Sequence, residues 1–316
     1  MKKIITLVLA LTLAFALAAP AAMAADSYTV GICQLVQHPA LDAATQGFKD
    51  ALSAKLGDKV RFIEQNASGD SAACATICNQ FVSEEVNLIM ANATPALQAA
   101  AAATNVIPIL ATSITDFGSA LGIDNWTGVT GTNISGTSDL SPLDGQAQII
   151  KELFPDAKTV GVLFCSGEAN SLFQVDSIQP MLETLGYEVS RFTFSDSNDV
   201  AAVTESACSA CDVLYIPTDN TAASCAEAIN NVALNAKKPI VAGEENLCKG
   251  CGVATLSINY YDLGTATGEM AVEVLEGGAD ISKLAVRYAP KSTKEYNAKI
   301  CETLGITVPE DYVAVA

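Results

Sequence analysis

The sequence predicts an α/β protein of two similar lobes, each a parallel sheet covered by helices. Three observations carry that prediction. Short apolar runs alternate with helical stretches along almost the whole chain. The alternation pauses near Ser135–Asp144 and then restarts, giving more strand–helix units than one small sheet holds comfortably. No Pro/Ser-rich linker separates the halves, which fits lobes that exchange strands across a hinge better than independent beads.

The elements follow in order. Tyr28–Leu35 reads as a strand, and Pro39–Leu56 as a helix with Leu41, Ala44, Phe48, Ala51 and Leu52 on one face. Val60–Glu64 is a strand, and Asp70–Glu84 a helix that the Asp70 carboxylate can cap. Asn87–Ala91 is a buried strand, Pro95–Thr104 an Ala-rich helix with Thr94 at its cap, and Ile107–Ala111 a strand. Thr112–Gly136, rich in Gly, Thr and Asn, reads as irregular. Beyond the pause come helix Asp144–Leu153, strand Thr159–Phe164, helix Glu168–Leu185, strand Tyr187–Phe194 and helix Asp199–Ala210. Strand Val213–Ile216, helix Ala222–Ala236, and strands Pro239–Ala242 and Val253–Ile258 come next. Helix Leu263–Leu275, strand Ala285–Tyr288 and helix Thr293–Leu304 complete the pattern.

Ahead of these units, Lys2 and Lys3 precede an apolar run, Ile4–Ala19, and the small-residue site Ala22-Met23-Ala24. That is the pattern of a secretory signal peptide cleaved after Ala24. The run is shorter than the ~20 residues a membrane span requires, and no Cys sits at the cleavage point for acylation. The expected product is exported, soluble and periplasmic. The chain carries 17 Lys+Arg against 35 Asp+Glu, which excludes nucleic acid and anionic membrane as partners, since both select basic surfaces.

Ten cysteines are present, six of them as the close pairs Cys74/Cys78, Cys208/Cys211 and Cys248/Cys251. In an oxidising compartment, disulfides or free thiols are the default reading. The two CxxC pairs also fit a zinc or iron–sulfur site, but they fall in different strand–helix units, so no metal or cofactor is expected. A Ser-His-Asp triad or His-ligated zinc would need His38, the only histidine, which reads as a polar residue in the loop leaving the first strand. No G-x-G-x-x-G follows the first strand, and neither a phosphate-binding P-loop nor a G-x-S-x-G elbow occurs.

What remains is a set of polar loops at strand ends, where small ligands bind in α/β sheets. The motif occurs most clearly twice: Val160–Phe164 runs into Cys165–Ser171, and Val213–Ile216 runs into Pro217–Thr221. The candidate ligand contacts are Gln34, Thr94, Thr115, Asp116, Glu168, Asn170, Ser171, Asp219, Asn220 and Glu244. Acidic groups in a closed cleft suit an ammonium, and helix N-termini suit a carboxylate, so together they match a zwitterion such as an amino acid. Trp126 reads as a packing residue, and Tyr260-Tyr261 as lying where the chain crosses between lobes.

Several strings resemble one family. They are His38-Pro39-Ala40-Leu41-Asp42, Ala93-Thr94-Pro95, Ser166–Ser171, Ile216–Thr221 and Ile258–Gly264, in order and at matching spacing over nearly the whole mature chain. They resemble the ABC-transporter substrate-binding proteins of the tryptophan/tyrosine-uptake type. The resemblance implies a periplasmic-binding-protein type I fold, with two Rossmann-like lobes, three crossover segments and a ligand trapped by hinge closure. It implies a membrane permease as partner and an aromatic amino acid as ligand. Thr94, Glu168, Asn170, Ser171, Asp219 and Asn220 match the family's cleft motifs. Cys165 stands where an Asn is common, Phe117 where a Pro is common, Cys33 occupies an apolar position beside the cleft, and Trp126–Ile134 looks extended.

The expected organisation is a signal at 1–24, one lobe from 27–139 plus 258–284, and another from 140–257 plus 285–316. The expected function is a non-enzymatic, monomeric receptor feeding an ABC importer. Glu168 or Asp219 would hold the ammonium, and Thr94, Asn170 and Ser171 the carboxylate. Two other classes fit the same residues: an exported sensor docking on a membrane signalling protein, and an exported enzyme using the cleft carboxylates.

Overall fold

The computed structural model describes residues 27–289 and 291–315, so the signal read at 1–24 lies outside the described residues. Two sheets organise the chain. The first contains β1 (Tyr28–Gln34), β2 (Val60–Asn66), β3 (Leu88–Asn92), β4 (Ile109–Ile114), β5 (Ile134–Ser138) and β11 (Arg287–Tyr288), in the order β11-β5-β4-β3-β1-β2. Its neighbouring strands all pair in parallel. The second contains β6 (Thr159–Cys165), β7 (Glu188–Phe194), β8 (Val213–Ile216), β9 (Ile240–Ala242), β10 (Ala254–Ser257), β12 (Thr293–Tyr296) and β13 (Val313–Ala314), in the order β13-β12-β10-β9-β8-β6-β7. Only β10 and β12 pair antiparallel there. Both faces of each sheet are covered, and alternation within a single strand shows it. Leu88 and Met90 of β3 join one apolar layer, while Ile89 and Ala91 join the opposite one.

Helices α1 (Pro39–Leu56), α2 (Ser71–Ser83), α3 (Thr94–Ala103), α4 (Phe117–Leu121) and α11 (Tyr260–Leu275) belong to the first lobe. Helices α5 (Leu143–Leu153), α6 (Ala169–Thr184), α7 (Val200–Ala210), α8 (Asn220–Ser224), α9 (Ala226–Asn235), α10 (Glu245–Cys251) and α12 (Ala298–Leu304) belong to the second. Helix α1 buries Leu41, Phe48 and Leu52 completely or nearly so, each burial favouring the fold by roughly 1.5–3 kcal/mol. Its partner is α11, and the two approach backbone to backbone. A Cβ at Gly264 would stand 1.9 Å from the Ala44 carbonyl oxygen, and one at Gly47 would stand 2.1 Å from that of Tyr261.

The chain passes between the sheets three times: after β5, between β10 and α11, and after β11. The last crossing follows Tyr288, beyond the 284/285 boundary read from the sequence, because Arg287 and Tyr288 pair with Thr137 and Ser138. Several elements differ from expectation. The stretch read as helix Thr293–Leu304 divides into β12 and α12, since β10 offers Thr293–Tyr296 an antiparallel partner and the Asn297 side chain then caps Ile300 N at 3.1 Å. The stretch read as helix Ala222–Ala236 breaks at Cys225 into α8 and α9. The segment read as irregular contains α4 and β5. Thr94 is the first residue of α3 rather than its cap; the cap position falls on Ala93.

All ten cysteines carry free thiols. Cys33, Cys74 and Cys78 pack in one apolar layer of the first lobe. Among the described residues no group of three His, Cys, Asp or Glu side chains is arranged to hold a metal ion, and no helix is long and apolar enough to cross a membrane.

Candidate functional site: a cleft between the lobes

In the second lobe, the loop after β6 and the loop after β8 meet through two buried carboxylates. Glu168 Oε1 accepts from Thr221 N at 2.8 Å and Thr221 Oγ1 at 2.7 Å. Its Oε2 accepts from Asn220 N at 3.1 Å, Asn220 Nδ2 at 2.7 Å and Asn170 Nδ2 at 3.0 Å. Asp219 Oδ1 caps α8 through Ala222 N at 2.8 Å. Its Oδ2 accepts from Cys165 N and Ser171 Oγ, both at 2.7 Å. Burial, and then the neighbouring Glu168 charge, push the Asp219 carboxyl up to about 7. Every donor to these carboxylates comes from the second lobe. Their lone pairs are therefore engaged within that lobe, and what they project into the cleft is negative potential and a fixed frame.

In the first lobe, Gln34 is held on both ends. Its Nε2 donates to the Val36 carbonyl at 3.0 Å and Asp42 Oδ1 at 2.7 Å, while its Oε1 accepts from Thr45 Oγ1 at 2.6 Å. Thr115 donates to Asp139 Oδ1 at 3.2 Å, and Tyr260 donates to Asp139 Oδ2 at 2.8 Å, which ties β4 to two crossing segments. Burial pushes the Asp139 carboxyl up to about 6 against the pull of those bonds. Asp116, half-buried, caps α4 through Ser119 N at 2.6 Å. Glu244 caps α10 through Asn246 N at 2.7 Å and also through Leu247 N, and burial pushes it up to about 7.

The polar atoms left open are the informative ones. Among the described residues, Thr94 Oγ1, Ser113 Oγ, Asn170 Oδ1 and His38 Nδ1 are buried without a hydrogen-bond partner, although such groups are ordinarily paired. Helix α3 begins with no side-chain cap at Ala93, whereas Asp70, Asp116, Asp219, Glu244, Asn259 and Asn297 cap other helices. Ala93 and Ser113 adopt φ of 87° and 58°, costly for residues with a side chain and concentrated at functional sites. Ser113 was not among the sequence-derived candidates; its backbone conformation marks it, and the string Ala111–Thr115 carries no trace of that.

Helices α3 and α4 of the first lobe pack against α6 of the second, so Thr94 and Asn170 lie on elements that meet across the cleft. A cavity of about 280 Å³ opens between the lobes, lined by Leu35, Val36 and Pro95 on one side and Cys165, Glu168 and Thr221 on the other. Of the residues predicted from the sequence only Glu168 lines it, and Thr94, Ser113 and Asn170 lie outside its wall. Its volume suits one small molecule. The Cys165 thiol points instead to the Ser195 carbonyl at 3.6 Å. Trp126 stacks on Phe117 at 6.1 Å and 9° and is a packing residue as read.

The family model for ABC transporter substrate binding proteins matches residues 29–316. A tyrosine-binding protein of Clostridioides difficile is 41% identical over 251 residues, covering 78% of this chain and 72% of the relative. The structure of an ABC domain in complex with L-Trp from Streptococcus pneumonia matches with a TM-score of 0.86 at 34% identity, covering 90% of this chain and 96% of that one. The ligand-free, open structure of a Clostridium difficile substrate-binding protein with adhesive properties matches with a TM-score of 0.69 at 37% identity, covering 91% and 99%. The open, ligand-free chain is more identical yet fits less well than the L-Trp complex. In this chain the lobes touch, through α3 and α4 against α6 and through His38 against Asn220, and we call that arrangement closed.

Proposed function

This chain belongs to the ABC transporter substrate-binding proteins and has the type I periplasmic-binding-protein fold, and from that premise we propose that it captures an aromatic amino acid outside the cytoplasm and presents it to a membrane permease. The observation that carries the reading is the pair of buried, unpartnered polar atoms, Thr94 Oγ1 and Asn170 Oδ1, on two helices that meet across the lobes. The uncapped start of α3, with the Thr94 hydroxyl, offers N–H and O–H donors and the positive end of a helix dipole to a carboxylate. Asn170 Oδ1 offers an acceptor to an ammonium beside two buried carboxylates. Glu168, Ser171, Asp219 and Asn220 fix that acceptor and supply the negative potential; Ser113 adds a hydroxyl from the first lobe. The ligands named for the Clostridioides difficile and Streptococcus relatives, tyrosine and L-Trp, are zwitterions with apolar aromatic bodies. Binding pulls the lobes together because the ligand contacts both only when they are closed. The protein returns its ligand unchanged and works as a monomer.

Calorimetric titration of the purified mature protein with L-tryptophan, L-tyrosine, tryptamine and N-acetyl-tryptophan tests this. The free amino acids should bind, while the amine lacking a carboxylate and the acetylated acid lacking an ammonium should bind far more weakly. Equal binding of tryptamine, or binding of sugars in place of all four, would overturn the zwitterion reading.

A further inference from the structure

One hydrogen bond spans the cleft directly. His38, at the start of α1 in the first lobe, meets Asn220 Oδ1 of the second lobe through its Nε2 at 3.3 Å. Among the described residues no other hydrogen bond and no ion pair joins the two lobes away from the crossing segments. The partners assign the proton. Asn220 Nδ2 donates to Glu168 Oε2 at 2.7 Å, so its Oδ1 faces the imidazole as an acceptor, and His38 Nε2 is the donor. Both ends are held. Pro39 follows His38 as the first helical residue, and the His38 carbonyl accepts Asp42 N at 3.0 Å. Asn220 is gripped by Glu168 through both its backbone and side-chain N–H groups. His38 is 6% exposed and Asn220 8%, so closure removes the pair from water.

We propose that His38 is an interlobe latch: it holds the closed state through Asn220 and Glu168 and thereby sets how long the ligand stays. The proposal rests on the binding reading above, but it assigns His38 no contact with the ligand. A latch made only on closure leaves the encounter of ligand with the open cleft untouched and slows reopening. The effect belongs in the dissociation rate. A neutral hydrogen bond of this kind corresponds to about a two- to tenfold change in an equilibrium.

Stopped-flow association and dissociation of L-tyrosine and L-tryptophan tests it on the wild type, His38→Ala, His38→Gln, Asn220→Ala and the double Ala variant. His38→Ala should raise koff about two- to tenfold with kon unchanged. His38→Gln, which keeps an N–H donor of similar reach, should recover most of the loss. His38→Ala should add nothing on top of Asn220→Ala, because the pair acts as a unit. Melting of the ligand-free variants checks their folding, and any variant that melts as the wild type does is interpreted. An unchanged koff, a change confined to kon, failure of Gln to rescue, or additive losses would each overturn the latch while leaving the binding reading standing. Absence of binding by the wild type would overturn the binding reading itself, and the latch with it.

Discussion

Thr94→Val separates a ligand contact from a structural hydroxyl. Thr94 is 2% exposed, and its Oγ1 has no hydrogen-bond partner within the protein. Valine keeps the β-branched shape and removes only the hydroxyl. In the ligand-free protein nothing is lost, since no hydrogen bond is broken, and melting should move by less than the ~1 kcal/mol a neutral hydrogen bond contributes. In the complex, a bond to a charged carboxylate is lost, worth about 1.5–3 kcal/mol, so Kd should rise roughly 10- to 150-fold. Calorimetric titration with L-tyrosine reads the affinity, and differential scanning calorimetry reads the stability. Thr94→Ser, which keeps the hydroxyl, should stay within a few-fold of wild type. A Kd within twofold of wild type for Thr94→Val would refute the carboxylate assignment. A clear fall in melting temperature would show instead that the hydroxyl supports the fold.

Acid should act on stability and affinity in opposite directions. Asp139, Asp219 and Glu244 are pushed up by burial to about 6, about 7 and about 7, so the folded protein holds protons that the unfolded chain releases. Their contribution to stability is present below the unfolded carboxylate values and lost as pH rises through the folded ones. Ligand-free melting temperature should therefore climb from about pH 8 to about pH 5. Affinity should fall over the same range, because an ammonium prefers an ionised Asp219 and because burial in the closed state pushes His38 below its ordinary value; a calorimetric pH series reads both. Tyr260→Phe removes one of the two side-chain donors to Asp139 and should lower stability by about 1–3 kcal/mol, measured by urea unfolding. Trp126, the only tryptophan, donates to the Tyr288 hydroxyl at 3.4 Å and stacks on Phe117 of α4, which abuts the second lobe. L-tyrosine should change its fluorescence on closure, and Trp126→Phe should abolish the signal while keeping affinity by calorimetry.

Much of this architecture could be read from spacing. Pro39–Leu56 and Val213–Ile216 stand at the residues expected, because a wide apolar helix face and a short fully buried run are signals carried by side chains alone. Strand β5 was not legible. Ile134-Ser135-Gly136-Thr137-Ser138 has one large apolar residue, and its burial is secured by hydroxyl bonds, Thr137 to Thr112 and Thr267 and Ser135 to the Leu284 carbonyl. Gly136 is required there by close approach, since a Cβ would lie 1.9 Å from the Ala111 carbonyl oxygen. The candidate residues at the site were legible as loops at strand ends, and Glu168, Asn170, Ser171, Asp219 and Asn220 do come together in one network. Which of their atoms remain open was not legible, because that depends on which donors reach which lone pairs. Ser113 and His38 escaped for related reasons: one is marked by a backbone angle, the other by a contact made only when two lobes meet.

The glycine-lined seam between α1 and α11 has a mechanical consequence. Helix α1 begins beside His38 at the cleft, and α11 begins at Tyr260, directly after the chain crosses from the other lobe. With backbone set on backbone at Gly47 and Gly264, no flexible side chains lie between them to absorb strain. The two helices run parallel, Ala44 against Gly264 and Phe48 against Gly268, so the hinge-side start of α11 and the imidazole at the start of α1 sit at the same end of one stiff block. A small rotation at the crossing is delivered to the mouth of the cleft undamped, which lets a molecule bound at the strand ends be felt at the hinge. A methyl group at position 264 would wedge the two helices apart and loosen the imidazole from the hinge without touching the binding residues.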